Sequence, residues 1–248
     1  MSMESDSGNF SLRRILPALW VIGLSALAFL AFQPAATGFS RGSGILLLAG
    51  LWLTVLRLGW RRPVLRWLWI GLLLLLGGLL VVPWPVREDV GNLRASYVRN
   101  LQDYVGCEYY WGGESRGGID CSGLIRRGMI DACLEEGWSR HDPELLKRAF
   151  RLWWNDTSAE ALGQEYHGLT RLVEQTDGLR FHEHSSLKPG ILAVTVDGRH
   201  IMAYLGGGQW IEADPGESKV VVLQAATSKS PWLGMRMRLL EWSMLLEK

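Results

Sequence analysis

Residues 118–124 read Gly-Ile-Asp-Cys-Ser-Gly-Leu, and they close a loop that carries Gly106, Gly112, Gly113, Gly117 and Gly118. Glycine at that density permits unusual backbone angles and close approach of one chain segment to another. Beyond Cys121 the pattern changes. Leu124, Ile125, Ile130 and Cys133 recur at helical spacing, so a helix is expected from near Cys121 to about Glu136. Asp120 or Cys121 then sits in its first turn. A cysteine there differs from one in a core, because the partial positive charge of a helix start favours the thiolate, the reactive form of the side chain.

Upstream, Leu93, Tyr97, Leu101 and Tyr104 are spaced by four, four and three, which predicts a helix over 88–104. Downstream, residues 138–178 read as a helical insert. Asp142-Pro143 supplies a cap and a proline suited to the first helical position, 144–154 continues as helix, and Thr157 or Ser158 could cap another short one. The remainder is strand-like: 191–196, a two-residue turn at Asp197-Gly198, a return strand 199–205, a glycine turn at 206–208, a third strand 209–213, then 219–223 and 235–240. Helices first and an antiparallel meander after them give an α+β domain.

A thiol nucleophile needs a base. His200 opens the strand after the Asp197-Gly198 turn, near a sheet edge that could face a helix start, whereas His141, His167, His182 and His184 lie in polar surroundings. An imidazole in this role is commonly held by a third group. Glu212, on the neighbouring strand, is the candidate, with Asp214 as the competing orienter because it shares the same side of the sheet. His182-Glu183-His184 puts two imidazoles on one strand face but offers no third placed ligand, so no metal site and no cofactor are expected. Of the three cysteines, Cys107 and Cys133 read as small buried hydrophobes, although a bridge between them is conceivable; an odd number leaves at least one thiol free unless chains are cross-linked.

The remaining third of the chain is apolar. Stretches 15–32, 44–56 and 67–82 are candidate spans, the first and third closest to the roughly 20 residues a crossing needs and the second marginal. Arg13 and Arg14 precede the first, only Arg41 lies in the first connection, and Arg57, Arg61, Arg62 and Arg66 crowd the second. Basic loops stay cytoplasmic. The expectation is therefore a cytoplasmic tail 1–14, a transmembrane region 15–85 of three helices, and a domain 86–248 outside the cytoplasm, on the periplasmic or extracytoplasmic side of a bacterial inner membrane. Two spans would return the domain to the cytoplasm. A cleaved signal peptide is a rival for the first stretch, but no small-x-small site follows it. A net charge of +1 on 248 residues gives no reason to expect nucleic acid as a partner.

Tyr109-Tyr110-Trp111-Gly112-Gly113, then Gly118-Ile119-Asp120-Cys121-Ser122-Gly123-Leu124, then Leu187-Lys188-Pro189-Gly190, His200–Gly206 and Trp210-Ile211-Glu212-Ala213 together resemble the NlpC/P60 cysteine peptidase signature, over roughly 88–240. The resemblance implies a papain-like α+β fold and hydrolysis of peptidoglycan stem peptides between D-γ-glutamyl and a diamino acid. It implies Cys121 as nucleophile, His200 as base and Glu212 in the third polar position, with Tyr109 lining the site and Asp120 and Ser122 at positions that in some members hold the free amine of the substrate. Three departures stand out: the third position is most often His, an Asp usually follows the Pro-Gly where Ile191 stands, and the insert 138–178 is longer than in compact members. An amidase or acyl transferase acting on protein or lipid, and a non-catalytic wall-binding domain, are the alternative activities.

Overall fold

A computed structural model describes residues 7–33, 37–82, 84 and 89–246, in two compact units, Met1–Val81 and Val82–Lys248. The first holds three helices, α1 (Ser7–Phe32), α2 (Gly38–Gly59) and α3 (Pro63–Val81). Thr37 caps α2 by accepting from the Ser40 amide at 3.3 Å. Trp52 and Trp69 meet edge to face at 4.8 Å between α2 and α3. Among the described helices α2 alone is long and apolar enough to cross a membrane; the apolar parts of the others, Pro17–Leu30 and Pro63–Leu79, are shorter. The sequence ranked these stretches the other way. It took 44–56, with an extension to Trp60 if Arg57 snorkels, whereas the helix begins earlier, at Gly38, and runs to Gly59. Residues 1–6 of the expected tail, and the expected boundary at 85/86, lie outside the described residues.

The second unit opens with α4 (Val90–Gln102), whose first turn is capped by Asp89 accepting from the Asn92 amide at 3.1 Å. Leu93, Tyr97 and Leu101 form its buried stripe. A short hairpin not expected from the sequence, β1 (Glu114–Ser115) with β2 (Gly118–Ile119), lies inside the glycine loop. Then come α5 (Cys121–Ser139), α6 (Pro143–Trp154) and α7 (Ala159–Gly163). Asp142 caps α6 and Ser158, rather than Thr157, caps α7. The strands are β3 (Thr170–Thr176), β4 (Leu192–Thr195), β5 (Ile201–Gly206), β6 (Gln209–Asp214), β7 (Lys219–Gln224) and β8 (Met237–Trp242). They form one antiparallel sheet in the order β3-β8-β4-β5-β6-β7.

One face of the sheet packs Leu192, Val194, Ile201, Ala203 and Ile211 against Leu93, Tyr97, Leu124, Ile125 and Met129 of α4 and α5. The other face gathers Met202, Tyr204, Trp210, Met237 and Leu239. Alternation along β5 and β6 produces both layers, and burial of these side chains, at roughly 1.5–3 kcal/mol each for a large apolar group, is what ties helices to sheet.

Two expectations need correction. Residues 138–178 are not helical throughout, because β3 lies within them and adds an edge strand beside β8. Its side chains are mostly exposed, so it carries no period-two signal; pairing to β8, not burial, makes it a strand. The Asp197-Gly198 turn is also longer than two residues. The Thr195 amide donates to the His200 carbonyl at 3.0 Å, leaving a four-residue loop, 196–199, and β5 starts after His200 rather than before it.

Candidate active site

The first turn of α5 is built by Asp120. Its Oδ1 accepts from the Gly123 amide at 2.6 Å and from the Ser122 hydroxyl at 2.9 Å, and its Oδ2 accepts from the Gly112 amide at 2.9 Å. One carboxylate thus caps the helix and clamps the glycine loop to it. The glycines are dictated by contact. A Cβ on Gly123 would meet the Gly113 carbonyl oxygen at 2.1 Å, and one on Gly113 would meet the Gly118 carbonyl oxygen at 2.4 Å. The spacing of Gly112-Gly113 and Asp120-Cys121-Ser122-Gly123 is therefore the spacing of a loop pressed against a helix start, and it delivers Cys121 to that start, 8% exposed.

His200 arrives from the loop before β5. Its amide donates to the Thr195 hydroxyl at 3.0 Å, which fixes the backbone at that point. From behind, the insert braces the same loop: Gly198, at φ +72°, sits where a Cβ would meet the Cα of Glu160 in α7 at 2.9 Å. The imidazole is 1% exposed. Its Nε2 lies 2.5 Å from Oε2 of Glu212, which is fully buried on β6. The Cys121 thiol is near enough to the same ring to act on its proton. Burial opposes a charge on the imidazole, but the hydrogen bond to Cys121, then that to Glu212, and the charges of both outweigh it, and the ring is pushed up to about 9.

Asp214 does not reach the imidazole. Its Oδ1 accepts from the Gly216 amide at 2.8 Å and faces the Trp232 indole N–H at 3.5 Å. Of the two acidic groups left open by the sequence, Glu212 is the one on the ring. Tyr109 is held by its amide donating to the Ser218 carbonyl at 2.9 Å. Its phenol is pushed up to about 12, first by burial and then by the charges of Cys121, Asp120 and Asp214, and the side chain packs against the apolar cluster that contains Cys121. Ser122 is present but spends its hydroxyl on Asp120. His184 accepts the Trp210 indole N–H at 3.0 Å on the opposite layer of the sheet, and His182 pairs with Glu174 at 3.1 Å. Cys107, Cys121 and Cys133 are all free thiols, so the conceivable bridge is not formed.

Three groups at the site were not read from the sequence. The Trp232 indole stacks on the His200 ring, with centroids 4.2 Å apart and planes at 16°. The Ser230 hydroxyl donates to Glu212 Oε1 at 3.3 Å. Arg126, one turn into α5 and 2% exposed, binds Glu114 of β1 at 2.9 Å, Asp156 at 2.6 Å and the Leu152 carbonyl at 3.0 Å, tying the glycine loop to the insert. Only Arg126 left a local sign, an arginine among apolar neighbours on a helix face. Trp232 and Ser230 come from a distant turn with no motif of its own.

A thiol at a helix start, an imidazole on it and a buried carboxylate behind the imidazole, set on an antiparallel sheet, define the class of papain-like α+β cysteine-hydrolase folds. The NlpC/P60 family profile matches residues 106–237, just over half of the chain, and the chain belongs to that family, whose members are in general cysteine peptidases of the cell wall. Among solved structures it is similar to the peptidoglycan hydrolase RipB from Mycobacterium tuberculosis, at 19% identity over 83% of this chain and 93% of that one, with a TM-score of 0.40. The P60 domain of an antigen from M. avium subspecies paratuberculosis is 18% identical, over 65% of this chain and 100% of that one, with a TM-score of 0.39. NlpC2 from Trichomonas vaginalis is 16% identical over 63% of this chain, with a TM-score of 0.40, and the match spans 49% of that protein. The chain thus covers about half the length of the T. vaginalis NlpC proteins it matches. No curated protein matches it.

Proposed function

We propose that this chain is a membrane-anchored cysteine peptidase that hydrolyses D-γ-glutamyl–diamino acid bonds in peptidoglycan stem peptides. The observation that carries the reading is the buried His200 ring, bonded to Glu212 through Nε2 and raised in pKa by the Cys121 thiol at the start of α5. The sulfur of Cys121 attacks the peptide carbonyl, and the bond to the amine breaks as His200 hands that nitrogen a proton. Water, deprotonated by the same ring, then attacks the thioester, releasing a carboxylate and restoring the thiol. The backbone N–H of Cys121 is the donor for the oxyanion. Glu212 holds the ring in place and balances its charge, the part usually given to a third polar side chain.

Tyr109 forms a wall beside the sulfur. Asp120 and Ser122 fit a weaker version of the amine-binding role, because three acceptor directions of the carboxylate, out of roughly four, already serve the chain itself. Anchoring through the N-terminal helices, with the Arg-rich connection 57–66 inside, would put the site outside the cytoplasm and close to the bilayer. A short tail, an apolar helical region and a catalytic domain with an insert over 138–178 make up the proposed chain.

The test is incubation of the full chain, purified in detergent, with defined muropeptides, and mass spectrometry of the products. New amine ends on the diamino acid are expected, lost in Cys121→Ala and reduced about 100-fold or more in Glu212→Gln. Cleavage of lipid or protein acyl groups instead would move the substrate class. Absence of new amine ends, with Cys121→Ala indistinguishable from wild type, would remove the peptidase reading.

A further inference from the structure

We infer that Trp232 is a positioning residue for His200, and that the turn 230–234 is a cap whose aromatic face keeps the imidazole in the orientation and charge state the thiol requires. The inference rests on the peptidase reading for its consequence, but its geometry is independent of any substrate.

The turn is a built element rather than a passing loop. It is a 3-10 turn, Pro231–Gly234, fixed from outside by the segment after β3: the Leu179 and Arg180 amides donate to the Leu233 carbonyl at 2.8 and 3.0 Å, and the Arg180 guanidinium donates to the Ser230 carbonyl at 3.2 Å. From that base it presents two side chains to the acid–imidazole pair. Ser230 donates to the Glu212 oxygen that the imidazole does not use, at 3.3 Å. Trp232 lays its indole flat on the ring at 4.2 Å, and its N–H points to Asp214 at 3.5 Å. Asp214 thus faces the indole N–H, while the same oxygen accepts from the Gly216 amide.

An indole face carries negative quadrupolar charge, so a stacked imidazolium is favoured over a neutral ring. Trp232 is itself half-buried and closes one side of the imidazole, which leaves the ring 1% exposed. The titratable and charged groups around the ring are Cys121 from α5 and Glu212 from β6, in contact with it, and Tyr109, Asp214 and Arg180 beyond them. Trp232 adds no charge of its own, so replacing it alters the ring's surroundings without adding or removing a titrating partner.

The experiment follows the rate at which iodoacetamide alkylates Cys121 in the full-length chain, resolved peptide by peptide so that Cys107 and Cys133 do not contribute, from acid to strongly alkaline pH. The wild type should show an upper inflection that tracks loss of the imidazole proton and that disappears in His200→Asn. In Trp232→Leu and Trp232→Met, which leave apolar bulk over the ring and so keep it buried while removing the aromatic face, the inflection should move down by about half to one pH unit, and in Trp232→Phe, which keeps an aromatic face, by less. Either aliphatic variant suffices if the other fails to fold. An inflection that stays in place while the melting temperature falls would mean that Trp232 only packs, and the inference would be overturned. If the wild type shows no His200-dependent inflection at all, the thiol–imidazole reading itself falls and takes this inference with it.

Discussion

The two ends of the buried run of α5 place the same residue type in opposite circumstances. At its start, Cys121 meets a capped helix terminus and the His200 ring, and keeps 8% of its surface exposed. Three turns on, Cys133 is fully buried, touches Met244, and has its thiol pushed up to about 12 by burial, with Arg148 offsetting this only in part. One helix therefore carries a thiol beside an imidazole and a thiol sunk in packing. Position relative to the helix terminus and to a distant strand makes the difference, not the residue.

The contrast breaks most sharply in activity. Cys121→Ala is expected to lower turnover of a muropeptide by about 1,000-fold or more, whereas Cys133→Ala should stay within about twofold of wild type and cost about 1 kcal/mol of stability. Steady-state kinetics and thermal melts on the two variants measure this. Equal losses of turnover would erase the distinction.

The glycines sharpen it at a smaller scale. In the first turn, a Cβ on Gly123 would run into a backbone oxygen at 2.1 Å; in the body of the helix, one on Gly128 would meet the end of the Leu101 side chain at 2.7 Å. Backbone cannot step aside and a side chain can. Gly123→Ala should therefore destabilise by about 3 kcal/mol or more and disturb Cys121 alkylation, while Gly128→Ala should cost about 1–2 kcal/mol and leave alkylation unchanged. Denaturant melts paired with peptide-resolved labelling separate the two.

The last contrast is in stability against pH. The folded His200 ring holds its proton up to about 9, against 6.5 for an unperturbed histidine. Its stabilising contribution is accordingly complete below about 6.5 and is lost as pH rises through about 9. Cys133, whose thiol is raised from 9 to about 12, adds a slope of the same sign only as pH approaches 9, and that slope is common to wild type and Glu212→Gln. A melting temperature that falls between these limits in the wild type, and falls less in Glu212→Gln, is the expected outcome. An identical slope in the variant would show that the His200–Glu212 contact is not its source.

Much of this was legible before any coordinates. The helix start at Cys121, the stripe of α4 and the succession β4-β5-β6-β7 follow from local pattern: helical spacing, cap residues and turn glycines. The return of β8 to lie between β3 and β4 does not, because the expected meander would have set the last strand beside β7. The expectation that β3 would be helical failed because an exposed edge strand has no buried face to imprint alternation on the sequence. The choice between Glu212 and Asp214 stayed open because alternate residues of a strand share one side of the sheet, and only the loop that precedes β5 decides which of them His200 meets.

The sequence by itself determined the elements that local chemistry encodes: a capped helix bearing a thiol, a glycine loop that must press against it, a meander of strands, and an apolar N-terminal third. Tertiary structure alone decided which acid lies behind the imidazole, that Trp232 covers the ring, and that the insert braces the loops on both sides of the site through Arg126 and Glu160. Those are contacts between residues far apart in the chain. Their energies depend on a geometry that exists only once the sheet has formed, so no periodicity or spacing in the sequence can record them.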